Sequence, residues 1–303
     1  MSRRAVIDVG SNSVLALIAE SDGATWHPLS DTSEVTALGD GVKKTGLLKP
    51  DRMVETLRAI KAAQDSAKLA GAECRAFGTM ALRISSNADE FLRMAAAQAT
   101  PVQVLSGEQE ATLSLDAVRG DTTFADSYRI TMVDIGGHST EIATSEKDSG
   151  EWRTVFQCSR PVGTLRLLDE VMSEDVADGL DQLRASAVVD EIIGFRYLPD
   201  KCGLVVVVGA TGTNLVSIRD QLSEWSPERV HGAQLDYEQI SGAVKHLCGL
   251  TSIERAAIVG IENGRERTIH AGALILERAL YAVGAEGCRV SVRGWRYAML
   301  DHF

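Results

Sequence analysis

Residues 133–141 read V-D-I-G-G-H-S-T-E. An apolar run, Ile130-Thr131-Met132-Val133, leads into Asp134, and strand propensity stops where the glycines and polar side chains begin. Gly136 and Gly137 are expected to allow positive φ and to let backbone N–H groups crowd an anion. His138, Ser139 and Thr140 follow, the last two as hydroxyl donors. Asp134 and Glu141 are placed to hold a divalent cation directly or through water. The chain opens on nearly the same text: Ala5-Val6-Ile7-Asp8-Val9-Gly10-Ser11-Asn12-Ser13 is again apolar strand, Asp, x, Gly, hydroxyl. One D-x-G-S says little, because any strand-to-turn junction can carry it. Two copies 126 positions apart, each repeating the aspartate, point to two related phosphate-type turns.

At 303 residues the chain suits one large or two medium domains, and 45% hydrophobic content supplies ordinary cores. The formal charge of −11 argues against a general nucleic-acid binder, so no DNA partner is expected. Residues 251–303 hold seven basic and six acidic residues, net +1, which leaves −12 for the rest. A polyanionic ligand is therefore expected to meet a local patch from the C-terminal third. Five scattered cysteines form no C-x-x-C and read as buried, reduced thiols. Met1-Ser2-Arg3-Arg4 runs into a short apolar stretch broken by Asp8, unlike a secretory leader, and the apolar run at 204–208 is too short to span a bilayer. A cytoplasmic protein with no membrane association is expected.

Residues 5–36 read as a three-stranded meander with a hairpin at Asp22-Gly23. Pro50 suits the first position of a helix that Gly71 ends. A strand at 74–77 turns through Gly78-Thr79 into a short helix; Asn87 can cap the next, and 102–105 is a strand. Ser106 and Gln109 fit an S-x-x-Q capping box, which puts Glu108 and Glu110 in a first helical turn. Read from these residues alone, the two acids complement the helix dipole. The second half repeats the order. Strands are expected near 130–135, 140–145 and 152–160, then helices near 165–172 and 181–195. Leu204–Val208 is an uninterrupted strand, turned by Gly209-Ala210-Thr211-Gly212 into a helix. Helices near 214–224, 236–248 and 270–284, a strand at 289–292 and a helix from Trp295 complete the chain. The boundary is expected near Gly120, giving domains 1–120 and 121–303, with a terminal helix that can pack back on the first.

This duplicated order resembles the actin, Hsp70 and sugar-kinase superfamily. The resemblance implies an α/β fold of two ribonuclease-H-like (actin-like ATPase) domains with a phosphate-binding cleft between them. Within it the motifs resemble the short, two-domain form of the exopolyphosphatase and guanosine pentaphosphate phosphatase (Ppx/GppA) family. The motifs are D-V-G-S-N-S at 8–13, G-T-M-A-L-R at 78–83, S-G-E-Q-E-A at 106–111, D-I-G-G-H-S-T-E at 134–141, V-G-T-L-R-L at 162–167, and an ending with Glu254-Arg255, Arg267, Ala271-Gly272-Ala273 and G-W-R-Y-A at 294–298.

The resemblance implies removal of the terminal phosphate of inorganic polyphosphate, or of the 5′-triphosphate end of pppGpp. It makes Glu110 the general base that deprotonates an attacking water. Gly136, Gly137, His138, Ser139 and Thr140 would hold phosphoryl oxygens, opposite Gly10, Ser11, Asn12 and Ser13, with Arg83 reaching the phosphate. Asp134 and Glu141, with Asp8, would hold Mg²⁺ or another divalent cation, with K⁺ a further candidate. A homodimer is the family's common assembly. Three positions depart from the pattern. His138 replaces a third glycine, either as a strained residue or as an added donor. Leu15 stands where members often carry Arg or His, and Ala210 interrupts a glycine pair. A catalytically weak sensor of (p)ppGpp or polyphosphate is the competing reading from another class; a sugar kinase or actin-like ATPase fits the fold but not the motifs.

Overall fold

In a computed structural model, which describes residues 2–172, 175–196 and 201–303, strand β1 (Ser2–Val9) turns at once into β2 (Ser13–Ser21). Their antiparallel register sets Val9 opposite Val14 and Asp8 opposite Leu15. β3 (Trp26–Val35) continues the meander, and the Asp22 carboxylate caps the connecting turn by accepting from the amides of Ala24 and Thr25, both at 2.8 Å. α1 (Val42–Thr45) precedes α2 (Pro50–Leu69), which starts with proline at its first position. β4 (Glu73–Gly78), α3 (Met80–Ile84), α4 (Ala88–Ala97) and β5 (Val102–Val104) follow. The sheet order is β3-β2-β1-β4-β5, with β1, β4 and β5 parallel. Period-two alternation splits β1 between two faces: Ile7 and Val9 pack under α2 and α4, whereas Val6 joins Leu17, Phe77 and Trp295.

α5 (Gly107–Arg119) and a 3₁₀ turn at Thr122–Phe124 lead to the second sheet. β6 (Arg129–Ile135), β7 (Thr140–Asp148) and β8 (Glu151–Arg160) repeat the meander. After α6 (Thr164–Glu170) and α7 (Gly179–Ile193), β9 (Leu204–Val208) pairs parallel with β6. α8 (Ala210–Arg219), α9 (Pro227–Val230), β10 (Gln234–Asp236), α10 (Tyr237–Cys248), α11 (Ser252–Ala256), α12 (Ile269–Val283), β11 (Gly287–Ser291) and α13 (Trp295–Met299) complete the chain. The order β10-β11-β9-β6-β7-β8 repeats the first sheet's β3-β2-β1-β4-β5 core in mirror listing. The valines of β9 are buried on both sides: Val205 and Val207 face the cluster built around α12, and Val206 and Val208 face Leu115, Val118 and Phe124.

Two compact units result, residues 1–113 with 295–303, and residues 114–294. The division falls inside α5, so the boundary expected at Gly120 lies within the second unit. A regular helix carries no local signal at such a point, whereas Gly120 at its end does. α13 belongs to the first unit, with Trp295 edge-on to Phe77 at 6.0 Å. Asn87 occupies the N-cap position of α4 but makes no side-chain cap. Its amide instead pairs with Leu48, accepting from the backbone N–H at 2.8 Å and donating to the C=O at 3.0 Å. The strand β10 and the short helices α9 and α11 had no expected counterpart.

Candidate active site

The second unit's loop is a tight hairpin between β6 and β7, closed by Gly136 N–H donating to Ser139 C=O at 2.9 Å. The first turn of α6 grips it from behind. Thr164 N–H donates to Gly136 C=O at 3.0 Å, and Leu165 and Arg166 N–H donate to Gly137 C=O at 2.8 and 3.2 Å. In a trans peptide the C=O and the following N–H point opposite ways, so the amides of Gly137 and His138 are turned away from α6. This makes the loop an amide-lined turn suited to an anion. Gly163 lets α6 come so close: a Cβ there would sit 2.5 Å from Gly137 C and from His138 N. The sequence predicts positive φ at Gly136 and Gly137, but Gly136 lies outside the left-handed region, as do His138 and, in the first hairpin, Gly10. Close approach is the requirement instead, since a Cβ on Gly136 would meet Ser139 O at 3.2 Å. His138, 1% exposed, is therefore not strained.

Asp134 and Glu141 are directly opposite in the β6–β7 register, which puts both carboxylates on one face of the sheet. Ser114 Oγ donates to Asp134 Oδ2 at 2.8 Å, and Ser159 Oγ donates to Glu141 Oε1 at 2.6 Å. Desolvation raises the Asp134 pKa above the ordinary carboxylate value, against the lowering by the Ser114 hydrogen bond. Two neighbouring acids, one of them 3% exposed, are eased by a cation between them. The donors are hard oxygens. Among the described residues no group of three or more His, Cys, Asp or Glu side chains is placed to hold a metal. A two-carboxylate site completed by water and substrate oxygens is the pattern that suits Mg²⁺, so the residues fit that ion.

In the first unit the hairpin has the same closure, Gly10 N–H to Ser13 C=O at 2.9 Å. Here the segment after the third strand grips the loop: Thr36 and Ala37 N–H donate to Asn12 C=O, and Gly39 N–H donates to Ser11 C=O at 2.8 Å. Ser11 Oγ accepts from Ala81 N–H at 3.1 Å, tying the loop to α3. Asn12 Nδ2 and Ser13 Oγ are buried without a hydrogen-bond partner among the described residues, donors of the kind an anion would satisfy. Asp8, 8% exposed, faces Leu15 rather than an acid. Burial lowers the pKa of Arg296, yet the charges of Asp31 and Asp8 outweigh it, so Asp8 already acts on a cation of its own unit.

Glu110 sits in the first turn of α5. The expected capping box is formed, with Ser106 N–H to Gln109 Oε1 at 2.8 Å and Gln109 N–H to Ser106 Oγ at 3.1 Å. Arg83, expected on a phosphate, donates to the Glu110 carboxylate and to Leu105 C=O at 2.6 Å. Two residues read as having separate roles are thus partners. Ser114, Ser159 and the gripping role of α6 escaped the sequence reading; V-G-T-L-R-L marked the segment but not its contact. Arg255, part of the family-like ending, is a staple: fully buried, it donates to the carbonyls of Glu266, Asp175, Leu247 and Leu250. At the third turn Gly209 has φ +83°, and a Cβ there would approach Asp134 Oδ1 to 3.2 Å. Ala210 begins α8 without a second glycine being needed.

Comparison with known proteins agrees with this arrangement. A profile of the Ppx/GppA phosphatase family matches residues 17–302. Exopolyphosphatase 2 of Mycobacterium tuberculosis is 27% identical over 291 residues, covering 91% of this chain and 89% of that protein. The Aquifex aeolicus PPX-GPPA enzyme superposes with a TM-score of 0.79 at 27% identity, covering 100% of this chain and 99% of that one. An exopolyphosphatase from Cytophaga hutchinsonii, 22% identical, shares the fold with a TM-score of 0.87 over 99% of this chain and 97% of its own. The chain, whose two sheets have the actin-like fold, belongs to the Ppx/GppA phosphatase family, enzymes that hydrolyse phosphoanhydride bonds.

Proposed function

We propose that the protein is an exopolyphosphatase that releases orthophosphate from the end of inorganic polyphosphate. The observation that carries this reading is the second hairpin. An amide-lined turn with two adjoining carboxylates suits a highly charged phosphate chain that arrives with a divalent cation. In this reading Gly136, Gly137, His138, Ser139 and Thr140 bind phosphoryl oxygens, as do Gly10, Ser11, Asn12 and Ser13 of the first hairpin. Asp134 and Glu141 would hold Mg²⁺, which supplies positive charge against that developing on the transferred group. Glu110 takes a proton from water as the water oxygen bonds to the terminal phosphorus. The bridging P–O bond breaks, its electron pair leaves with the shortened chain, and orthophosphate is the second product. The five free cysteines suit a reducing cytoplasm, and a homodimer is the expected assembly.

The second reading, a pppGpp 5′-phosphohydrolase, uses the same groups, and the likeness to the PPX-GPPA enzyme keeps it in view. The test is phosphate release from long polyphosphate, pppGpp and ATP, with Mg²⁺ and with chelator. The proposal expects Mg²⁺-dependent release with polyphosphate preferred. Preference for pppGpp would establish the second reading. Tight binding of (p)ppGpp with no turnover of any substrate would overturn both in favour of a sensor.

A further inference from the structure

We propose that Arg83 restrains Glu110 in the free enzyme and is handed over to the terminal phosphate of the incoming substrate, so that the base is released only when substrate is present. This rests on the assignment of Glu110 as general base. The pair lies within the first unit, its side chains only 19% and 10% exposed, so the charges are poorly screened. A carboxylate beside a guanidinium is a poor proton acceptor, because the ionised form is the one stabilised; such a neighbour lowers a carboxyl pKa by about 1–3 units. In the free enzyme the Glu110 carboxylate is thus held by the Arg83 guanidinium.

The guanidinium is set up to leave. Nη1 serves Glu110 and Leu105 C=O, whereas among the described residues the hydrogen bond of Nη2 goes to Met80 Sδ at 3.4 Å, a weak acceptor. A terminal phosphate offers three charged oxygens to the flat fork of donors and can engage it at two points, which a single carboxylate oxygen here does not. The ends of the pair are anchored differently. Arg83 rides on α3, whose Ala81 amide is bound by Ser11 Oγ of the first glycine hairpin. Glu110 is fixed by the capping box of α5. A phosphate at the Ser11 hairpin is therefore offered to the helix that carries Arg83, while Glu110 stays in place. The other charged groups of α5 are Glu108 in the same turn, and Asp116 paired with Arg119 at 2.6 Å at the far end.

The experiment uses the two pH profiles of the intact enzyme with polyphosphate of defined length. The profile of kcat/KM reports the free enzyme and that of kcat the substrate complex. In the wild type the acid limb of kcat/KM is expected about 1–3 units below that of kcat, since Arg83 acts on Glu110 only before substrate arrives. In Arg83→Gln the kcat/KM limb should rise towards the kcat limb, which itself stays in place, and KM should rise about 10-fold or more from the lost phosphate contact. Arg83→Lys should restore part of both. Coincident limbs in the wild type, which needs no variant to fold, overturn the hand-over. So does Arg83→Gln moving both limbs together, the signature of an arginine that stays on Glu110 through turnover. Glu110→Gln separates the two layers: an inactive variant with coincident wild-type limbs refutes the hand-over alone, and an active one refutes the base assignment and the hand-over with it.

Discussion

The two glycine hairpins have one backbone and two different chemistries. Both close with a glycine amide on a serine carbonyl at 2.9 Å, and both have loop carbonyls gripped by the segment following the third strand. The difference begins one residue past the turn. Asp134 faces Glu141, whereas Asp8 faces Leu15. The second hairpin therefore concentrates negative charge, and in the proposed function it is the one that holds the cation. The first holds one acid that shares its unit with buried Arg296, and leaves Asn12 and Ser13 with donors that no described residue satisfies. A duplicated loop has kept its geometry and divided its electrostatics, so matching motifs do not imply matching roles.

The largest effect expected from breaking this comparison is Gly163→Ala. Its Cβ would collide with the backbone of the second hairpin at 2.5 Å, with no flexible side chain to yield. Overpacking of this kind costs about 1–3 kcal/mol, and a loop displaced by about 1 Å should lose about 100-fold in kcat/KM. Gly10→Ala, whose Cβ would meet Ser13 O at 2.9 Å, should cost less by both measures. Thermal melts and steady-state rates check the ranking; equal losses would remove the special role given to α6.

Next comes the cation. Asp134→Asn or Glu141→Gln should weaken Mg²⁺ binding by more than the roughly 10–100-fold that loss of a supporting partner costs, and Ser114→Ala should fall within that range. Asp8→Asn should leave the affinity within a few-fold. Titration calorimetry reads all four, and an Asp8→Asn loss equal to that of Asp134→Asn would put the cation at both hairpins.

The smallest effect on activity is expected at Asp121, in the second unit away from its hairpin. Burial pushes this carboxyl up, but its hydrogen bonds with His231 and the Thr123 amide and the charge of Arg293 outweigh that and bring it to about 2, against 3.8 ordinarily. The folded value lies below the unfolded one, so the stabilisation is present above about pH 3.8 and is lost as pH falls towards about 2. Asp121→Asn should flatten stability against pH over that window and cost about 1–3 kcal/mol above it, with kcat/KM unchanged at neutral pH. Acid-titrated melting curves are the check.

Much of this was legible in the residues, and the limits have physical causes. Short-range signals survived: the aspartate before each glycine, Pro50 at a helix start, the Ser106–Gln109 box and the valine run of β9 all act within a few residues of themselves. What failed depends on the tertiary approach of distant segments. Arg83 and Glu110 meet because α3 and the start of α5 flank β5, which no local pattern states. Ser114 and Ser159 reach the two acids from a helix and an edge strand. The glycines of the hairpins were read through φ, the usual reason for glycine, while the structure uses them for close approach of backbone to backbone. Asn87 had the chemistry of a cap and was taken by Leu48, a competitor 39 positions away.

The most direct test of the account is Glu110→Gln, assayed for phosphate release from polyphosphate alongside equilibrium binding of the same polymer with Mg²⁺. The account predicts that turnover falls by about 10²–10⁴-fold, the usual contribution of a general base, while polymer binding is retained. Turnover at the wild-type rate would contradict it.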